Sequence, residues 1–217
     1  IQFGIDYCRL FYQMWRIRNA CDFPDYDWRA CHSRIPLQRW WHRKRAGHIL
    51  GLATTELPCV DVGSGSSTLL TQLPAGSIGF DINGQKLRFM RRSGHPLVQG
   101  DGGRLPFADA SVATLVCSQL LEHIEDDGAP LLDELARVLM PGGCLILGTP
   151  DYGGWQWPLI ERLYHRIVPY PYTRSHVSHY DLEKLRAALG ERGLSIETHR
   201  HIAGAELIVQ CRKGIEK

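Results

Sequence analysis

Residues 57–67 read Leu-Pro-Cys-Val-Asp-Val-Gly-Ser-Gly-Ser-Ser. A short apolar run ends in an acidic residue, passes through a glycine-serine turn and enters a helix-like pattern over 67–73. Gly63 and Gly65 permit a tight turn whose backbone approaches a ligand with no Cβ in the way. Such a turn between a strand and a helix opens onto a helix N-terminus at the edge of a parallel sheet, where nucleotide-like ligands bind. The stretch therefore demands a fold that delivers a strand end, a glycine turn and a helix to one crevice.

The rest of the chain supplies the elements for that fold. Strands are expected over 57–62, 77–82, 96–100, 112–118 and 143–149. Helices are expected over 5–18, 34–50, 67–73, 84–92, 127–139, 156–167 and 181–192, and residues 21–27 read as a loop. Two last strands, 194–201 and 204–212, flank Ala203-Gly204-Ala205 as a hairpin would. Strands alternating with helices predict a mostly parallel, doubly wound α/β sheet of seven strands, its C-terminal edge antiparallel. Pro141-Gly142-Gly143 reads as a helix stop and turn. At 217 residues the chain is long enough for one such core and an extension.

Charge separates the two ends. Residues 1–50 hold nine Lys or Arg against four Asp or Glu, a balance of +5 in a chain of net charge +2. Trp15, Trp28, Trp40 and Trp41 lie in the same segment. No run reaches the ~18–20 apolar residues of a membrane span, and no signal-peptide pattern is present. The seven cysteines are scattered without a C-x-x-C pair, which fits reduced thiols and a cytoplasmic setting.

The cofactor follows from the acidic residues. Asp81, at the end of the expected second strand, lies about 20 residues after the glycine turn, where a carboxylate accepts hydrogen bonds from ribose hydroxyls. That spacing also suits NAD. However, the dinucleotide pattern needs a third glycine where Thr68 stands, and Asp61 would sit poorly beside a pyrophosphate. Asp61 suits a cationic ligand, such as the ammonium end of S-adenosylmethionine.

Five segments then carry a resemblance. Val60–Ser67 resembles the first motif of the class I S-adenosylmethionine-dependent methyltransferases, and Gly79-Phe80-Asp81-Ile82 their second. Gln99-Gly100-Asp101 with 105–111 resembles the third-strand region, 116–124 the fourth, and 134–145 the helix, turn and fifth strand of the type 11 subgroup. Their order and spacing match over 57–150, more loosely over 151–212. The resemblance implies a Rossmann-like fold and S-adenosyl-L-methionine as cofactor. It implies a cofactor site of Asp61, Gly63, Ser64, Gly65, Asp81, Ile82, Asp101, Gly102, Ser118 and Gln119, with the Asp101 carboxylate toward the adenine amino group.

Several residues admit plainer roles. The glycines can form a tight βα turn and no more, Asp81 can cap the following helix, and Asp101 can be a solvated loop carboxylate. His123 can be a general base or can orient a loop over the cofactor. Some ubiquinone-pathway O-methyltransferases that resemble this region carry Glu-x-x-Glu-His, which binds a divalent ion. Here Gln119 takes the first position, and an amide is a poorer ligand for a hard cation, so no metal is expected.

The segment after the fifth strand is expected to hold the acceptor. Tyr152, Trp155, Trp157, Tyr164, Tyr170 and Tyr172 precede His176-Val177-Ser178-His179-Tyr180. Trp155, Tyr152, His179 and Tyr180 are the expected pocket residues and His176 a second candidate base; His176 and Tyr180 can instead pack at the next helix's entry. The aromatic-basic N-terminal segment can lie on an anionic membrane, grip RNA or dock on the sheet as a lid; the lid is expected. The chain divides accordingly into an extension, 1–50, and a methyltransferase unit, 51–217.

The expected reaction is methyl transfer to an O or N nucleophile of a small-molecule or lipid-linked acceptor. Alternatives are an RNA or protein methyltransferase and a non-catalytic cofactor-binding partner or sensor. The Asn/Asp-Pro-Pro-Tyr turn of adenine-N6 and glutamine methylators is replaced by Ser118-Gln119-Leu120-Leu121, which argues against nucleic acid. Peripheral membrane contact through the N-terminal segment is compatible with all of this.

Overall fold

A computed structural model describes residues 23–54, 56–167 and 176–215. The expected helix over 5–18 lies outside them. Seven strands form one sheet in the order β3-β2-β1-β4-β5-β7-β6. They are β1 (Cys59–Val62), β2 (Ile78–Asp81), β3 (Leu97–Gln99), β4 (Val112–Ser118), β5 (Leu139–Pro150), β6 (Leu194–Ile202) and β7 (Glu206–Lys213). The first five pair in parallel, β7 runs antiparallel to β5, and β6 to β7. The chain leaves β1 toward β3 and returns to β4 on the other side. This switch of direction opens a crevice at the carboxyl ends of β1 and β4.

The central strands are buried on both faces, which is why they read as continuous apolar runs. In β4, Leu115 and Cys117 face one cluster and Val116 the other; in β5, Leu145 and Leu147 alternate with Ile146, and in β7, Leu207 and Val209 with Ile208. Two helices cover the first face, α4 (Ala129–Val138) through Leu131, Leu132 and Leu135, and α6 (Leu182–Gly190) through Leu185 and Leu189. The second face takes Ile49 from α2 (Pro36–Leu50) and Met90 from α3 (Gly84–Met90), with Leu52, Leu69, Leu70 and Leu73. Helix α5 (Gln156–Ile167) follows β5. No helix among the described residues is long and apolar enough to cross a membrane.

Local chemistry departs from the expected elements at three places. The expected helix over 67–73 is only a 3-10 turn, Leu70–Gln72. The hydroxyl of Ser67 accepts from Leu69 N, and Thr71 Oγ1 and Gln72 Nε2 both donate to Thr68 O, so side chains take backbone partners that a helix needs. Within the expected loop a helix begins, α1 (Tyr26–Cys31), pinned by an Arg29–Asp25 pair at 2.5 Å. Finally, Asn83, not Asp81, caps α3, its Oδ1 accepting from Gln85 N and Lys86 N.

Leu115 is fully buried at the middle of β4. Leu115→Ala is expected to lower the unfolding free energy by about 2–5 kcal/mol, read as a lower urea midpoint with an unchanged slope.

Candidate functional site

The crevice holds a cavity of about 440 Å³. Its near end is the glycine turn. Gly63 and Gly65 have φ of +74° and +54°, and the amides of Gly63 and Ser64 donate to Phe80 O at 2.8 and 3.0 Å. Asp81 holds the turn from the next strand: its Oδ2 accepts from Gly65 N at 2.8 Å and its Oδ1 from Asn83 N at 2.7 Å. Asp61 is buried at the end of β1, with one carboxylate oxygen lacking any partner. The hydroxyls of Ser64 and Ser118 are likewise buried without partners.

Helix α1 closes this end. Asp27 and Ser66 bond reciprocally: Asp27 N donates to Ser66 Oγ at 3.1 Å, while Asp27 Oδ2 accepts from Ser66 N at 3.0 Å and from Ser66 Oγ at 3.1 Å. Lys86 Nζ reaches the same oxygen at 3.3 Å. A Cβ on Gly65 would stand 2.6 Å from Asp27 Oδ2, so only glycine fits beneath the helix. Burial pushes the Asp27 carboxyl up, but Lys86 and the Ser66 bonds outweigh it and hold it below the usual range. Burial, reinforced by the Asp81 and Asp27 carboxylates, pushes Asp61 up to about 7.

The middle of the cavity is a clasp between α2 and β7. Arg45 Nε meets Glu206 Oε1 at 2.5 Å and its Nη2 meets Oε2 at 2.9 Å; Trp41 Nε1 donates to that second oxygen at 2.7 Å. Gln119, at φ +57°, joins both, accepting from Arg45 and donating to Glu206 at 3.3 Å each.

The far end holds two buried groups whose neutral forms are favoured, Glu122 and His176. Glu122 is buried; Thr149 donates to its Oε2 at 3.3 Å and Oε1 has no partner. Burial pushes Glu122 up to about 8, Glu206 adding to the shift and Arg45 opposing it. The Glu122 carbonyl accepts from Val177 N and Ser178 N, which seats His176 beside it. The His176 ring lies 6.0 Å from Trp157 in a stack and 4.9 Å edge-on from His123. Burial, with His123 and His179, pushes His176 down to about 4.

Of the expected cofactor residues, Asp61, Gly63, Ser64, Gly65, Asp81, Ile82, Ser118 and Gln119 all line this one cavity, as do His123 and His176. Asp101 and Gly102 do not: Asp101 is exposed and its Oδ1 accepts from Gly103 N, and Gly102 packs near Leu131. Three expected pocket residues lie elsewhere. Tyr180 is buried in the core, its hydroxyl donating to Asp127 O. Trp155 is 71% exposed and off the cavity, whereas Trp157, one helical step on, lines it. His179 is exposed and stacks on Tyr152 at 4.1 Å. Tyr152 touches the site through its hydroxyl, 3.0 Å from His176 Nδ1. Tyr26, Asp27, His42, Arg45, Lys86 and Glu161 also line the cavity. No local sequence pattern marks Asp27, Arg45 or Lys86, because each reaches the cavity through a partner distant in the chain.

Among the described residues, donor atoms of Glu122, His123 and His176 lie within 4.8 Å of one another. Gln119 is turned away from that group toward Glu206.

Known proteins agree with this fold. Residues 60–147 match the family model described as a methyltransferase domain. A fatty-acid O-methyltransferase of Mycolicibacterium smegmatis is 29% identical over 131 residues, covering 58% of this chain and 47% of its own. A demethylmenaquinone methyltransferase of a Mycobacterium species is 32% identical over 112 residues, covering 50% and 47%. The chain thus spans a little under half the length of these curated relatives. A solved S-adenosylmethionine-dependent methyltransferase of Methanosarcina mazei shares the fold with a TM-score of 0.61 at 18% identity, over 78% of this chain and 98% of that one. A chain from the complex between the Haloferax volcanii Trm112 methyltransferase activator and a methyltransferase gives 0.68 at 18% identity, over 87% and 97%. Residues 60–147 thus carry a methyltransferase domain, the sheet around it has the fold of solved S-adenosylmethionine-dependent methyltransferases, and S-adenosylmethionine is the cofactor of those proteins. The residues present fit it, since an unpartnered buried carboxylate oxygen beside two further carboxylates asks for a cation.

Asp61 makes the fit measurable. Its raised value means that the folded free protein binds more protons than the unfolded chain between the ordinary carboxylate range and about 7. The stability from this group is full below that range and is lost as pH rises through about 7. Between pH 5 and 8 the wild type is expected to lose about 1–3 kcal/mol more stability than Asp61→Asn, measured by urea unfolding at each pH. A cationic ligand favours the ionised form, so cofactor binding at pH 6 should release a proton. Calorimetry in buffers of different ionisation enthalpy should detect that release in the wild type and not in Asp61→Asn.

Proposed function

We propose that this chain transfers a methyl group from S-adenosylmethionine to an O or N nucleophile of a small-molecule or lipid-linked acceptor. The observation that carries this reading is the Asp61 carboxylate, buried with one oxygen unpartnered at the end of β1, beneath the glycine turn and beside Asp81. Asp61 and Asp81 hold the cofactor against the backbone of Gly63, Ser64 and Gly65, and Ile82, Ser118 and Gln119 flank it. S-adenosylmethionine bound there supplies an electrophilic methyl group and a neutral sulfide as leaving group. No protein nucleophile is needed, so the chain contributes alignment and exclusion of water. Residues 1–50 act as a helical lid that shapes acceptor access over a methyltransferase unit of 51–217.

Relatives named for a fatty acid and for demethylmenaquinone support an apolar or lipid-linked acceptor. The basic, aromatic N-terminal segment supports peripheral contact with an anionic membrane from the cytoplasmic side. The reaction is expected to run without a metal: the Gln119 amide, a poorer ligand for a hard cation than a carboxylate, is engaged with Arg45 and Glu206.

Calorimetry should show S-adenosylmethionine binding in the micromolar range, roughly −8 kcal/mol. Asp81→Ala should weaken it by about 1–3 kcal/mol. Radiolabelled cofactor with a metabolite and lipid extract should label an acceptor. No binding by the wild type, or tighter binding of NADH, overturns the reading.

Removing metal tests the last point separately. Cofactor affinity and turnover are expected to survive EDTA; activity abolished by chelation and restored by magnesium would contradict it.

A further inference from the structure

The far end of the cavity contains a line of polar contacts for which the cofactor gives no reason. Tyr152, just after β5, places its hydroxyl 3.0 Å from His176 Nδ1 and donates to Glu161 Oε1 of α5 at 3.4 Å. His176 Nδ1 itself lies 4.0 Å from that carboxylate oxygen. A phenol has one proton to give. It turns to the carboxylate although that contact is the longer, because a charged acceptor makes the stronger hydrogen bond and the same carboxylate, on the Nδ1 side of the ring, favours a proton on Nδ1. Toward His176 the phenol oxygen can then only accept. The imidazole hydrogen must therefore sit on Nδ1, and Nε2 keeps its lone pair. The ring is fixed in this pose by Trp157 on its face and His123 at its edge, and its side chain is only 4% exposed.

We propose that Glu161 and Tyr152 are positioning residues that hold His176 in the Nδ1–H tautomer, so that its Nε2 is the general base for a hydroxyl acceptor bound against Trp157 and His123. This deepens the methyltransferase reading and rests on it. As the acceptor oxygen bonds to the methyl carbon, its proton passes to Nε2; the electron pair of the broken carbon–sulfur bond leaves on sulfur. The products are a methyl ether, a neutral sulfide and an imidazolium that returns its proton to water. Burial keeps the imidazole unprotonated beforehand. The imidazolium then faces Glu161, which offsets part of the cost of its charge. The ionisable groups around the ring are Tyr152, Glu161, Glu122, His123 and His179.

Long-range proton–nitrogen correlation spectra of the full chain labelled with 15N-histidine read the tautomer directly. The His176 pattern is identified by its loss in His176→Gln. The wild type is expected to show a protonated Nδ1 and a lone-pair Nε2. Tyr152→Phe should invert that pattern, and Glu161→Leu should move it the same way. A wild-type Nε2–H tautomer, or an Nδ1–H tautomer that persists in both variants, overturns the assignment. On the acceptor identified by radiolabelling, Tyr152→Phe should lower kcat by about 10- to 100-fold with the cofactor KM unchanged. An acceptor methylated on nitrogen, or an unchanged kcat, refutes the base. Failure of the methyltransferase reading itself shows up elsewhere, as absent cofactor binding in calorimetry, and leaves the tautomer result standing.

Discussion

Everything in this protein depends on a sheet whose central strands have no solvent face. Leu115, Leu145 and Leu207 point one way and Val116, Ile146 and Ile208 the other, and all are buried. Both faces must be covered. The second face takes its cover partly from the N-terminal side, through Ile49 of α2. That packing fixes the course of the preceding residues: α2 crosses the crevice, and α1 is delivered to the glycine turn. The cavity walls made by Asp27 and Arg45 thus follow from how the core is roofed.

Once assembled, the cavity has an electrostatic gradient along its length. At the glycine turn stand three carboxylates, Asp27, Asp61 and Asp81, with Lys86 as their partial balance. At the far end two ionisable groups are held uncharged by burial, Glu122 as an acid and His176 as a base. A positively charged ligand is drawn to one end, and a neutral molecule loses little hydration at the other. Arg45 lies between them with its charge matched by Glu206, so the two ends are separated by a neutral pair.

The strands were legible because double burial leaves an unbroken apolar run, and the turn was legible because glycines with positive φ leave a compositional trace. The helix expected over 67–73 failed where hydroxyl and amide side chains took the backbone's partners. Trp155 and Trp157 are two residues apart on one amphipathic pattern, and only packing decides which of them faces the cavity. Tyr180 looked like a pocket aromatic but satisfies its hydroxyl on Asp127 O inside the core. Asp27 and Arg45 were invisible for a different reason: their partners, Ser66 and Glu206, lie 39 and 161 residues away. A single sequence carries no record of such distant pairs.

The Arg45–Glu206 clasp also orders events in time. Glu206 is the first residue of β7, a strand that must insert between β5 and β6 before its carboxylate can meet α2. A ribosome delivers Arg45 long before Glu206, at about 5–20 residues per second. In that interval the Arg45 guanidinium lacks its partner carboxylate and stays in water. The Arg45–Glu206 clasp therefore closes only when the β6–β7 hairpin has docked. The ligand site is thus completed after the five parallel strands, by the β6–β7 hairpin.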